Sequence, residues 1–481
     1  MKDKPLLSIS MLVSGKSEDM WKSIASVHEI QKRIPAEFIL VDTGCSEDVQ
    51  KRLEHEADKL VHFTWCQDFA KARNAGLALA EGDWFMYLDD DEWFEDVEEL
   101  VHFFQSSLCR EYGYASYKVR NYVDPEGTQY SDSWVERLAR RTDSLVFQSR
   151  IHEYLTNKSG AHYHLNLVAE HYGYAFKNEE EKLAHFHRNE KLLLEMKEEE
   201  PDNLRWDMQL VQEYRTVERY GEMVRMGQEQ YPVAIRRGYY KVAEVFILSW
   251  VIGLLEEKKY HLAMEKALEM EKETALSLLT RTYGFSIVAK CAFYLGDYTK
   301  SAEYADKYIE VVNYFMNHPK ERAKQEGFPF VSETLDEVKQ KEMYSIAICD
   351  GLRRGDTTPL DKYMDKLQWG EKHVYVFEEM ADELLRGMQK LGYTPEFYRM
   401  VKIISRHQAL KAYFLAKVEE ASERGEDMTV AVSICNKVEE IGQIMKQLQE
   451  LKKNGMEQQA LLIIDRLKAI LPEDEDIRNL K

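Results

Sequence analysis

Residues 84–92 read WFMYLDDDE: five apolar residues, Trp84 to Leu88, run without a break into Asp89, Asp90, Asp91 and Glu92. So short an apolar run predicts a strand covered on both faces, with four carboxylates at its carboxyl end. The same alternation recurs upstream. Residues 6–13 (LLSISMLV), 37–41 (EFILV) and 60–64 (LVHFT) predict strands, while 17–34, 47–57 and 68–80 have helical spacing, the last ending at Gly82. Strand and helix in alternation imply a parallel sheet with helices on both faces. Ligands in such sheets sit outside the carboxyl ends of the strands. The turns after Val13, Val41, Thr64 and Leu88 are therefore expected along one edge.

The carboxylates on that edge suit a divalent cation, Mg²⁺ or Mn²⁺, which binds diphosphate oxygens that a bare carboxylate would repel. Asp89 and Asp91 alternate on an extended segment and so project to one side. One can reach a ribose or a metal-bound water while the other ligates the metal, with Asp90 between them. The plain structural alternative is an acidic start to the helix expected over 97–104, which carboxylates favour. Residues 65–74, WCQDFAKARN, form the second informative segment. They put Arg73 and Asn74 on a helix starting at the same edge, where a guanidinium can counter diphosphate charge. Asp68 suits an N-cap better than catalysis.

These segments resemble family 2 glycosyltransferases. Residues 41–48, VDTGCSED, are similar to that family's VDTGSTD turn. WCQDFAKARN and Leu88-Asp89-Asp90-Asp91-Glu92 resemble the W-x-x-DFAxARN and LDxDE motifs of one branch. Residues 136–141 (ERLARR), 150–153 (RIHE) and 171–174 (HYGY) resemble its RLFRR, GRIHE and HxGY patterns. The branch includes lipopolysaccharide-core glycosyltransferases and sublancin-type peptide S-glycosyltransferases. The resemblance spans residues 6–175 in the family's order. It implies a Rossmann-like GT-A domain, inverting transfer and a nucleotide-diphosphate donor, with a UDP-hexose favoured by family habit. By position, Asp42 and Thr43 would bound the base pocket, Arg73 the diphosphate, Asp89 and Asp90 the nucleotide side, and Asp91 the metal. Two departures stand out: Ser14-Gly15-Lys16-Ser17-Glu18 replaces a Lys-Asn-Glu-like turn, and Cys45 replaces Ser. The Gly15-Lys16-Ser17 run lacks the upstream glycine of a phosphate-binding P-loop.

Inverting transfer needs a base opposite the leaving diphosphate. Glu153 is the candidate, its alternative being an ion pair with an arginine such as Arg137 or Arg150. His171 is the candidate to complete the metal shell; a packed histidine is the alternative. His162, His164, His185 and His187 read as non-ligands.

From about residue 190 the strand signals disappear and helices follow one another between short turns. Tyr220, Tyr260 and Tyr298 recur at intervals of about 40 residues, within the range of helix-pair solenoids, with alanines after the turns that let helices approach. The expected organisation is a GT-A domain over 1–188 and a degenerate tetratricopeptide-like solenoid over 189–481, an irregular bundle being the alternative. The solenoid would present a peptide, protein or glycan acceptor, or pair two copies of the chain.

Bulk properties narrow the partners. A formal charge of −20 disfavours phosphate-backbone contacts, so nucleic acid is not expected. Six scattered cysteines without a CxxC pair fit a reducing, cytoplasmic setting. No segment reads as a leader, and the longest apolar stretch, 245–255, is too short to span a bilayer. Two further functions compete. An inactive α/β domain could be carried by an interaction scaffold, but the intact acidic cluster argues against that. A metal-dependent phosphotransferase lacks a recognisable phosphate-accepting motif.

Overall fold

The computed structural model describes residues 4–125, 127, 130–325, 331–367, 369, 374–392, 395–472 and 474–480. The chain divides into two compact units, Met1–Val217 and Glu218–Lys481.

The first unit opens as the sequence predicts: β1 (Leu7–Val13), α1 (Met20–Arg33), β2 (Ala36–Asp42), α2 (Glu47–Leu53), β3 (Lys59–His62), α3 (Phe69–Leu79) and β4 (Trp84–Leu88). Every residue of β1 and β4 is buried, as strands covered on both faces require. α3 lies tightly on the sheet because residue 76 is glycine: a Cβ there would stand 2.3 Å from Ser10 Oγ and 2.9 Å from Val41 Cγ2. Asp68 caps this helix as expected, accepting from the Lys71 amide at 2.9 Å.

Beyond β4 the sheet departs from the parallel expectation. After β5 (Glu92–Phe94), α4 (Glu98–Gln105) and α5 (Leu108–Glu111) come the long strands β6 (Tyr112–Tyr122) and β7 (Tyr130–Arg140). A small hairpin of β8 (Val146–Gln148) and β9 (Tyr154–Thr156) precedes β10 (Ala161–His171). The eight-stranded order is β3-β2-β1-β4-β7-β6-β10-β5. β7 enters antiparallel to β4 and to β6, and β5 antiparallel to β10. A connection of only seven residues, 123–129, is too short for a parallel crossover and joins antiparallel neighbours, which makes the sheet mixed. One face packs on α1 and α4 through Val27, Ile30, Trp84, Phe103 and Leu138; on the other, Ala70 of α3 joins Phe85, Tyr87 and Phe147.

α6 (Glu179–Glu199) and α7 (Leu204–Thr216) belong to this same unit, whereas the sequence expectation ended the domain at 188, inside α6. Their attachment is specific. Arg150 pairs with Glu195 and Glu199 of α6, and Arg205 of α7 donates to the His152 carbonyl at 2.8 Å.

The second unit is all helical among its described residues. It opens with α8 (Tyr220–Arg236), α9 (Tyr240–Glu256), α10 (Tyr260–Lys272), α11 (Leu278–Leu295) and α12 (Tyr298–Asn317). The recurring tyrosines are thus the first residues of α8, α10 and α12, and Ala263, Ala267 and Ala305 are buried as close helix packing demands. The apolar stretch at 245–255 lies within α9 and is almost wholly buried. No described helix is long and apolar enough to cross a membrane.

Candidate active site

The carboxyl edge of the sheet gathers Asp89, Asp90, Asp91, Glu92, Arg137, Glu153 and His171 around α3. Arg73 stands at the centre, 2% exposed. Its Nη1 donates to the Leu88 carbonyl at 2.9 Å and its Nε to Glu153 Oε1 at 3.0 Å, while Nη2 donates to Asp89. Arg137 bridges the same cluster, to Asp89 Oδ2 at 2.9 Å and Glu92 Oε2 at 2.5 Å. Both guanidiniums lie over the Tyr87 ring. Burial alone would raise the Asp89 pKa, but Arg137 and Arg73 outweigh it and hold this carboxyl well below its ordinary range. Three carboxylates (Asp89, Glu92 and Glu153) thus share two guanidiniums, and Asp90 and Asp91 lie beside them with no arginine ion pair among the described residues. Burial, with the neighbouring Asp91 charge, pushes Asp90 up to about 7, although the Ser14 amide donates to it at 3.2 Å. The excess negative charge suits a cation.

Asp91 and His171 fit one. His171 Nε2 lies 3.6 Å from Asp91 Oδ1, and His171 Nδ1 is held 2.8 Å from Asn121 Oδ1. With its proton on Nδ1 directed at Asn121, the ring turns Nε2 to Asp91, where a metal can take the place of a second proton. Burial opposes protonation of this ring, but the Asp91 hydrogen bond and charge raise its pKa above the ordinary value. Gly173 keeps the spot open: a Cβ there would stand 2.4 Å from His171 Nε2 and 2.7 Å from Asp91 Oδ2. Among the described residues no three His, Cys, Asp or Glu side chains form a metal-holding group by themselves.

Two of the expected ligand contacts are buried. Arg73 was expected to meet the diphosphate; in the fold its Nε and each terminal nitrogen donate to a protein acceptor, holding Asp89 and Glu153. Asp42 was expected to bound the base pocket, yet it is 2% exposed and satisfied within the fold. Its Oδ1 accepts from the Gly44 and Cys45 amides, and its Oδ2 from Gln50 and His62. Burial opposes its ionisation, but these donors prevail and hold its pKa at about 2. It fixes the turn from behind, leaving Thr43, itself bonded to the Val13 carbonyl at 3.0 Å, on the half-exposed side. Asn74 also turns inward, exchanging hydrogen bonds of 2.9 Å with the Phe147 backbone.

The loop carrying Glu153 is strained: Ser149 and His152 have φ of 80° and 49°, a region non-glycine residues seldom adopt. Contacts on every side hold it: the Phe69 amide on the Arg150 carbonyl, Arg205 on the His152 carbonyl, and Arg73 on Glu153. Asn121 and Arg188 were not anticipated as site residues. Asn121 lies in a polar strand with no motif around it, and Arg188 is the last residue of the expected first domain, beyond the last motif.

Residues 8–166, within the first unit, match the model of the Glycosyl transferase family 2. A TPR repeat-containing protein of Synechococcus elongatus is 31% identical over 147 residues, 31% of this chain and 34% of that protein. The SPbeta prophage-derived glycosyltransferase SunS of Bacillus subtilis is 23% identical over 218 residues, 42% of this chain and 48% of the relative. The matches thus span a third to a half of these relatives' length. Among solved structures, the mannosyltransferase PcManGT from Pyrobaculum calidifontis, in complex with GDP-Man and Mn²⁺, aligns over 60% of this chain and 87% of its own, at 12% identity and a TM-score of 0.31.

Proposed function

We propose that the chain is a metal-dependent, inverting glycosyltransferase that moves a sugar from a nucleotide-diphosphate donor, a UDP-hexose by preference, to a peptide, protein or glycan acceptor. The observation carrying this reading is the Asp91–His171 pair, 3.6 Å apart at the carboxyl edge and kept open by Gly173. Asp91 and His171 would hold Mn²⁺ or Mg²⁺, with the donor's diphosphate oxygens completing the shell. The ion, when bound, offsets the charge that develops on the leaving diphosphate. Thr43 and its turn line the base side, and Asp89, with Asp90 behind it, faces the ribose.

Glu153 is the proposed base. Arg73 holds its Oε1, while its Oε2 has no protein partner among the described residues and is free to take the acceptor's proton. The expected order of a catalytic domain followed by a helical region is kept, with its boundary moved from 188 to 217 so that α6 and α7 serve the catalytic part. The helical region is proposed to bind the acceptor or a second copy of the chain, in a cytoplasmic setting.

Donor hydrolysis tests the reading. UDP-sugars and GDP-sugars incubated with Mn²⁺ should release the nucleoside diphosphate, and Asp91→Asn should abolish release. Absence of both binding and release with every donor would favour the inactive-scaffold alternative.

A further inference from the structure

The arginines around the carboxylate cluster differ in what neutralises them. Arg73 and Arg137 bind Asp89, Glu92 and Glu153, and Arg150 binds Glu195 and Glu199. Arg188, on α6, has no carboxylate within ion-pair distance among the described residues. Its Nε and Nη2 both donate to a neutral acceptor, Asn189 Oδ1, at 3.1 Å, and Nη1 has no protein partner among the described residues. Asn189 is 4% exposed and fixed by its own donation to Glu213 at 2.9 Å. The amide therefore orients the guanidinium without cancelling its charge.

Two observations locate that charge. The guanidinium lies 5.8 Å from the Phe69 ring centroid, and Phe69 is the first residue of α3, at the carboxyl edge of the sheet. Burial lowers the Arg188 pKa, against the charges of Glu213 and then Asp91 and Tyr174, and the Tyr174 ring lies against His171 at 5.4 Å. Arg188 thus lies near both the start of α3 and the Asp91–His171 pair. A guanidinium with unused N–H donors and no carboxylate in ion-pair contact among the described residues, beside a cation site, is complementary to an anion bridging the two.

We infer that Arg188 binds the donor's diphosphate, the role its motif had given to Arg73. This inference rests on the nucleotide-diphosphate reading above. It also accounts for the inclusion of α6 in the first unit: the helix braces the Glu153 loop through Arg150 and brings a cation to the substrate.

Equilibrium binding of UDP, GDP and uridine, each with Mn²⁺, to wild type, Arg188→Ala and Arg188→Lys tests it. The expected result is a loss of at least tenfold in affinity for the diphosphate in Arg188→Ala, partial recovery in Arg188→Lys, and uridine binding as in wild type. Equal diphosphate affinity in wild type and Arg188→Ala would overturn the inference and leave the donor reading intact. An equal loss for uridine and UDP would also overturn it, since the arginine would then be shaping the fold. Failure of wild type to bind either diphosphate would remove the donor reading, and this inference with it. Should Arg188→Ala not fold, Arg188→Gln replaces it, keeping the chain length and removing the charge.

Discussion

Arg73 Nε and Glu153 Oε1, 80 positions apart in sequence, meet at 3.0 Å in the buried centre of the first unit. The bond fixes one carboxylate oxygen and leaves the other to work. Glu153→Gln keeps an oxygen for Arg73 but cannot accept a proton. Its kcat is expected to fall by about 10² or more, as for loss of a general base, with donor affinity unchanged by titration. Wild-type turnover in this variant would remove Glu153 from the chemistry.

Gly173 offers a second probe. A methyl in Gly173→Ala would press on His171 Nε2 and Asp91 Oδ2 and separate the pair. We expect roughly a tenfold rise in the Mn²⁺ concentration needed for half-maximal activity, about 1.4 kcal/mol, with little change in melting temperature without metal. An unchanged metal requirement would place the ion elsewhere.

Much of this edge was legible in sequence. Phe38–Val41 of β2 and Trp84–Leu88 of β4 are continuous apolar runs, wholly buried, and burial on both faces leaves few other conformations for them. Asp89 and Asp91 follow such a strand directly, so their position came with it. β7 was not legible: from Tyr130 to Val135 no residue is buried, and its periodicity carries no hydrophobic signal. The protein partners of Arg73 and Asp42 were not legible for a different reason. A motif tells which residue lies near a ligand, whereas partners from distant positions, such as Glu153 for Arg73 and His62 for Asp42, decide whether it touches one.

Asp42 makes the acid behaviour testable. Its pKa in the fold, about 2, lies below the ordinary 3.8, so its donors stabilise the folded state above pH 4. That contribution is lost as the pH falls towards 2. The shift corresponds to about 2 kcal/mol. Asp42→Asn should be less stable than wild type by about that amount near neutral pH. The gap should close in urea titrations repeated between pH 4 and pH 2.

In the helical unit, Glu342 sits 4% exposed between Lys290 and Lys339, each 2.8 Å away. Burial opposes its ionisation, but the two lysines hold its pKa at about 2. Glu342→Ala leaves two partly buried ammonium groups facing each other. It should destabilise this unit by about 3 kcal/mol or more. Chemical denaturation should show that transition moving to lower denaturant while the transition of the first unit stays in place.

The brace that Arg150 and Arg205 build onto the Glu153 loop has an evolutionary consequence. With α6 and α7 inside it, the catalytic unit has its own splint and is structurally finished at Val217. Helical arrays of different length or curvature can then be exchanged after that point while the chemistry stays the same. On the proposal that the array binds the acceptor, swapping it would change acceptor range, whereas a junction placed a few turns earlier would dismantle the loop that holds the proposed base.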